Sequence, residues 1–127
     1  NDRREIPVED FFLDYNSQDL GAGEFIEKIH IPLNENLFFY SYKISKRRDE
    51  DILTISTIVS FEEFEGKLHN VRLVFGGMAP IPKRARNAEE VLNGKIFNSS
   101  VVKLIQLAIE NDLAPISDLR ASSKYRM

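Results

Sequence analysis

Residues 52–77 read ILTISTIVSFEEFEGKLHNVRLVFGG, and the reading of this stretch decides the fold. Leu53, Ile55, Val59 and Phe61 fall on one face of an extended chain, with Thr54, Ser56 and Ser60 opposite. β-branched residues at period two indicate a strand with one face buried. Glu65-Gly66 supplies a tight turn, and VRLVFGG returns as the hairpin partner. Gly76-Gly77 then reads as a sharp bend at the strand end, because it is too short to cradle a phosphate and no G-x-G-x-x-G or P-loop string is present.

Working outward, LFFYSYKIS (37–45) alternates again, with Phe38, Tyr40, Tyr42 and Ile44 on one face and Phe39, Ser41, Lys43 and Ser45 on the other. EFIEKIHIP (24–32) carries the same alternation and is expected to be a further strand, closed by Pro32. On the other side Pro80 and Pro82 keep PIPKRAR irregular. NAEEVLNG (87–94) predicts a short helix with Asn87 as N-cap, Glu90 as capping-box partner and Asn93-Gly94 as its stop. NSSVVKLIQLAIENDL (98–113) predicts the longest helix, capped from Asn98 or Ser99, with an apolar stripe of Val101, Leu104, Ile105, Ala108 and Ile109. A third helix is expected from Ser117. Strands first and helices after, without alternation, give an α+β fold: an antiparallel sheet of three to four strands followed by about three helices packed on one face.

Composition narrows the function. Apolar residues at 43% and charged residues at 29% fit an ordinary folded domain, and 127 residues suffice for one core. A net charge of -3 argues against nucleic acid as a partner. The chain has no cysteine, so it can hold no disulfide and no Cys-ligated zinc or iron–sulfur cluster. No apolar run reaches the length of a membrane span and no signal-peptide pattern opens the chain, so a cytoplasmic protein without membrane partners is expected. The chain starts at Asn1 and stops in a helix barely begun, so residues 1–127 are expected to be a single domain from a longer polypeptide.

Few residues carry visible chemistry. His30 and His69 stand far apart with no cysteine near either, which gives no metal set and no nucleophilic triad. Glu62-Glu63 and Glu89-Glu90 read as solvated faces. Lys83, Arg84 and Arg86 form a basic patch that reads as a solvated loop, or as one that meets a phosphate or an acidic neighbour. Lys43 stands out because its neighbours on the strand face, Ser41 and Ser45, are small. It is either an edge-strand gatekeeper or a cationic donor aimed at an electron-rich ligand, and pattern alone does not separate the two.

Four ordered strings carry a family resemblance: DFFLDYNSQDLGAGEFIEKIHIP (10–32), FFYSYKISKRRDEDI (38–52), VRLVFGGMAPIPKRA (71–85) and SDLRASSKYR (117–126). Together they resemble the C-terminal part of the FAD-binding region of molybdenum hydroxylases. Within that family the similarity is to the small iron–sulfur/FAD subunit of bacterial xanthine dehydrogenase and to the carbon monoxide dehydrogenase flavoprotein. The resemblance implies cofactor binding by Ile26, the apolar residue before the IP pair, and by Lys43, after the aromatic of the YK pair. It places the following loop, Ser45 to Asp51, beside the isoalloxazine ring where NAD approaches. It implies no catalytic acid, base or nucleophile on this chain and no metal ligand.

The resemblance further implies an enzyme in which electrons pass from a molybdopterin centre through 2Fe-2S clusters to FAD and then NAD. The expected partners are the N-terminal FAD-binding half and iron–sulfur domain of the same subunit and the large molybdopterin-binding subunit. A related hydroxylase for carbon monoxide, nicotinate or an aldehyde fits the same residues, as does a non-catalytic α+β interaction module that shares only the fold. One departure stands out: after FFL the family reads glycine and a basic pair, whereas this chain has Asp14 and Asn16. The isolated chain is expected to hold FAD poorly and to be inactive.

Overall fold

The computed structural model describes residues 3–46 and 52–127. Its centre is a four-stranded antiparallel sheet in the order β3 (Phe38–Ile44), β4 (Ile55–Phe64), β5 (Lys67–Gly76) and β6 (Lys83–Arg84). The β4–β5 hairpin is the one expected. Glu65 and Gly66 both take positive φ, 51° and 72°, the backbone that a two-residue turn needs to match the twist of its strands. Val59 then faces Leu73 and Thr57 faces Phe75 across the ladder. Between Ser60 and Glu62 the register slips, with Asn70 at φ 51° on β5. This bulge keeps Leu68, Val71 and Leu73 all within the core clusters on one side of the sheet.

Two helices cover that side. α2 (Arg86–Leu92) and α3 (Ser99–Asp112) pack on each other, and α2 lies on β5. Ala85, Ala88 and Ala108 are buried with Leu73, and their small side chains let helix and sheet backbones approach closely. Asn98 caps α3 as expected, accepting hydrogen bonds from the N–H groups of Ser100 and Val101. Leu104, assigned to the apolar stripe from its spacing, is instead exposed, while Val101 and Ala108 are buried.

Three sequence expectations need correction. The stretch 24–32 is not a strand: residues 25–33 form no backbone hydrogen bond, and all of them are exposed. Period-two alternation reports a segment whose one face is covered, and no described element covers this one. The capping box on Asn87 and Glu90 does not form. α2 starts after Ala85, and Asp112, at the end of α3, accepts from the N–H groups of Asn87 and Ala88. A carboxylate from another helix meets the free amides and the positive end of the helix dipole. The third helix starts at Ser123 rather than Ser117, because Ser122 caps it and residues 117–121 form a turn.

The N-terminal region was not foreseen. α1 (Val8–Phe11) leads into a small hairpin of β1 (Phe12–Asp14) and β2 (Ser17–Gln18). Arg4 closes it by pairing with Asp19 at 2.9 Å and Glu24 at 2.6 Å.

Gly77 shows what holds the exit from β5. Its φ is 80°, and a Cβ there would lie 2.5 Å from the carbonyl oxygen of Thr54. Thr54 is itself buried and donates its N–H to Ile44 at 2.8 Å, joining β3 to the start of β4. Gly77→Ala should therefore lower the unfolding free energy by roughly 1–2 kcal/mol for the left-handed backbone and a further ~1–3 kcal/mol for the clash. Urea denaturation followed by circular dichroism measures this, and an unchanged midpoint would show that the bend relaxes freely.

Candidate functional site

The sheet has two unlike faces. One packs under the helices. The other carries Phe39, Ser41 and Lys43 from β3, Ser56, Ile58 and Ser60 from β4, and Arg72, Val74 and Gly76 from β5, as the ladder register dictates. Lys43 sits directly opposite Ser56. Its neighbours are hydroxyls and small side chains, and its ammonium forms no hydrogen bond or ion pair with any described residue. β3 is an edge strand, so the gatekeeper position and the cationic-donor position coincide at this residue.

Ile26 lies in the unpaired stretch and is 53% exposed. That stretch is tied down at both ends. At one end Asn34 donates its amide to Glu62 at 2.7 Å and accepts from the N–H of Asn36 at 3.0 Å. At the other, Glu24 pairs with Arg4, and farther up the N-terminal segment Glu9 pairs with Arg72, Arg84 and Arg86. Glu62 and Arg72 belong to the face that bears Lys43, so the stretch and Lys43 share one side of the sheet. No hydrogen bond or ion pair joins the stretch to Lys43. Within the loop expected beside a cofactor, residues 47–51 lie outside the described residues.

The end of β3 is propped by the SDLRASSKYR string. Asp118 accepts from the N–H groups of Arg120 at 2.8 Å and Ala121 at 3.1 Å, which fixes the turn. Arg126 is buried, pairs with Asp118 at 2.7 Å and donates to the carbonyl of Ile116 at 2.8 Å. The Arg126 guanidinium, helped by the two amides, holds the Asp118 carboxyl well below the usual carboxylate range. Lys46, just past β3, donates to the Leu119 carbonyl at 3.4 Å. Sequence reasoning found this string only through resemblance. Its mechanical role lies in a long-range contact that no local pattern reports.

Glu89 overturns a reading from composition. It is not a solvated face: it is 4% exposed and accepts from the N–H of Leu73 at 2.8 Å and from Arg84 at 2.6 Å and 3.1 Å. Glu90 remains exposed, so an EE pair on a helix conceals which of the two turns inward. Arg84 is likewise no solvated loop residue, since it bridges Glu89 and Glu9. Of the readings open for the basic patch, the structure realises the acidic neighbour. His69 packs edge-on against Phe64 with ring centroids 6.5 Å apart. No group of three or more His, Asp or Glu among the described residues is placed to hold a metal.

A face with a cation that pairs with no described residue, set among serines and a glycine, suits a flat, electron-rich group. Small side chains leave room above the sheet, hydroxyls can donate, and no carboxylate among the described residues neutralises the ammonium.

Residues 40–127 match the family model of the CO dehydrogenase flavoprotein C-terminal domain. The chain is 34% identical over 117 residues to xanthine dehydrogenase 2 of Arabidopsis thaliana, covering 88% of this chain and 9% of that protein. It is 28% identical to the xanthine dehydrogenase FAD-binding subunit of Escherichia coli O157:H7, covering 98% of this chain and 43% of the subunit. Among solved structures, the carbon monoxide dehydrogenase of Hydrogenophaga pseudoflava superposes with a TM-score of 0.89 at 27% identity, over 97% of this chain and 43% of that one. The chain thus spans less than half the length of these relatives.

Proposed function

Because the chain belongs to the CO dehydrogenase flavoprotein C-terminal domain family, we propose that it forms part of the wall of the FAD site in a xanthine dehydrogenase-type oxidoreductase of the cytoplasm. The 34% and 32% identity to two plant xanthine dehydrogenases supports that enzyme type. FAD, when bound, supplies the relay that takes electrons from molybdenum and iron–sulfur centres and delivers them to NAD. The partners are the preceding FAD-binding half, the iron–sulfur domain and the molybdopterin-binding large subunit.

The observation that carries the proposal is Lys43, whose ammonium pairs with no described residue, on the sheet face opposite α2 and α3. Lys43 orients the cofactor and favours the negative charge that the flavin ring gains on reduction. Ile26 covers one side with apolar surface and keeps water out. Ser41 and Ser56 flank the ammonium and leave space for the ring. None of these residues moves a proton, so the chain binds and tunes but performs no acid–base step.

Co-production of this chain with the FAD-binding half of the Escherichia coli subunit tests the reading. A yellow complex that carries flavin absorbance through size-exclusion chromatography is the expected result. A well-folded but colourless complex would instead identify an interaction module.

A further inference from the structure

Glu9 is met by three guanidinium groups from three different elements. Arg84 on β6 reaches both carboxylate oxygens, at 3.1 Å and 3.2 Å. Arg72 on β5 stands at 3.3 Å and Arg86 on α2 at 3.1 Å. Beside this cluster a cleft of about 470 Å³ is lined by the same three arginines together with Asn70, Asn93 and Glu89. Glu89 is already occupied by Arg84 and the Leu73 amide, which leaves Arg72 and Arg86 without any other carboxylate partner among the described residues.

Glu9 belongs to the N-terminal arm, residues 3–33, which forms its own small hairpin and its own Arg4 cluster. Among the described residues, every ion pair between that arm and the sheet-and-helix layers ends on Glu9. Past Glu24 the arm runs without backbone hydrogen bonds to the Asn34 turn. It is therefore a strap pinned at Asn34 and at Glu9, with Ile26 between the pins.

We infer that Arg72, Arg84 and Arg86 form a carboxylate-recognition site whose ligand is Glu9 of the same chain, and that this latch fixes where the arm, and Ile26 with it, stands over the Lys43 face. Three convergent cations recognise a carboxylate by charge-assisted hydrogen bonds, and Arg84 adds a two-oxygen grip. Glu9 is a positioning residue. The consequence for Ile26 rests on the flavin reading; the latch itself does not. The Glu9 carboxyl is held below the usual carboxylate range, by Arg84 most strongly and by Arg72 and Arg86 in addition, which agrees with a carboxylate that stays charged in place.

The chain has no cysteine, so two can be introduced and spin-labelled without background. Gln18→Cys on β2 and Gln106→Cys on α3, both exposed, report arm-to-core distance by pulsed electron paramagnetic resonance. The native pair should give one narrow distribution. Glu9→Gln, which keeps the shape and removes the charge, should broaden it roughly twofold or more, as expected for a segment released into local opening. Arg72→Gln with Arg86→Gln should do the same from the other side. A control pair inside the layers, Lys67→Cys with Gln106→Cys, should not change, which separates arm release from unfolding. Identical arm distributions in native protein and Glu9→Gln overturn the latch. No flavin is present in these samples, so that outcome would leave the cofactor reading as it stands.

Discussion

Glu89→Ala is expected to lower the unfolding free energy by about 3–5 kcal/mol, the cost of removing one partner from a buried ion pair. Glu89 is 4% exposed, and its carboxylate holds Arg84 at 2.6 Å together with the Leu73 amide at 2.8 Å. Alanine would leave a buried amide unpaired and a largely buried guanidinium with only the exposed Glu9 carboxylate as partner, against the cluster of Leu73, Ala85 and Ala88. Glu89→Gln keeps an acceptor for the Leu73 amide but turns an NH₂ or a neutral oxygen toward Arg84, so a smaller loss of ~1–3 kcal/mol is expected. Glu89→Leu combined with Arg84→Met should recover most of the stability, because neither charge then remains unpaired. Urea titration separates these cases. A loss under about 1 kcal/mol for Glu89→Ala would mean that the pair behaves like a surface salt bridge.

Lys43→Glu is expected to have the second large effect, on cofactor retention rather than on folding. A charge pair ~4 Å apart is worth ~4 kcal/mol at an effective dielectric near 20. Lys43 stands on an exposed edge strand, and water screening removes most of that figure. The third that remains, about 1.4 kcal/mol, still corresponds to roughly tenfold weaker FAD binding. Flavin content per complex after serial dilution is the readout. Unfolding of the chain alone should be unaltered, since the Lys43 side chain makes no hydrogen bond or ion pair with any described residue. Equal flavin content in Lys43→Glu and native complexes would remove Lys43 from the cofactor's surroundings.

Local chemistry made part of this molecule legible. The Glu65-Gly66 turn, the alternation of β3, β4 and β5, the Asn98 cap and the Gly94 stop all act within a few residues. Features set by distant partners were not legible. Asp112 caps a helix that begins 26 residues earlier, Glu89 turns inward because Arg84 and Leu73 wait there, and Glu9 finds arginines from three later elements. The stretch 24–32 misled for a different reason. Its alternating apolar residues, Phe25, Ile29 and Ile31 among them, are all exposed, so the pattern records a surface that this chain does not bury.

The candidate site divides in the same way. The strand face that carries Lys43 follows from period two, and the structure places Ser56 opposite it. Its role as a cofactor contact came from family resemblance and could not come from patterning, since a gatekeeper lysine on an edge strand has the same neighbours. Of the props of the site, Arg126 on Asp118 spans only eight residues, but Lys46 on the Leu119 carbonyl joins residues 73 apart, which no local pattern reports.

The flavin midpoint potential in the co-produced complex tests the central claim most directly, measured for native Lys43 and for Lys43→Met. Loss of the cation should disfavour the negatively charged reduced ring and move the potential downward by tens of millivolts, on a scale where ~59 mV is tenfold for one electron. A bound flavin whose potential is the same in both proteins would contradict the assignment of Lys43 to the wall of the flavin site.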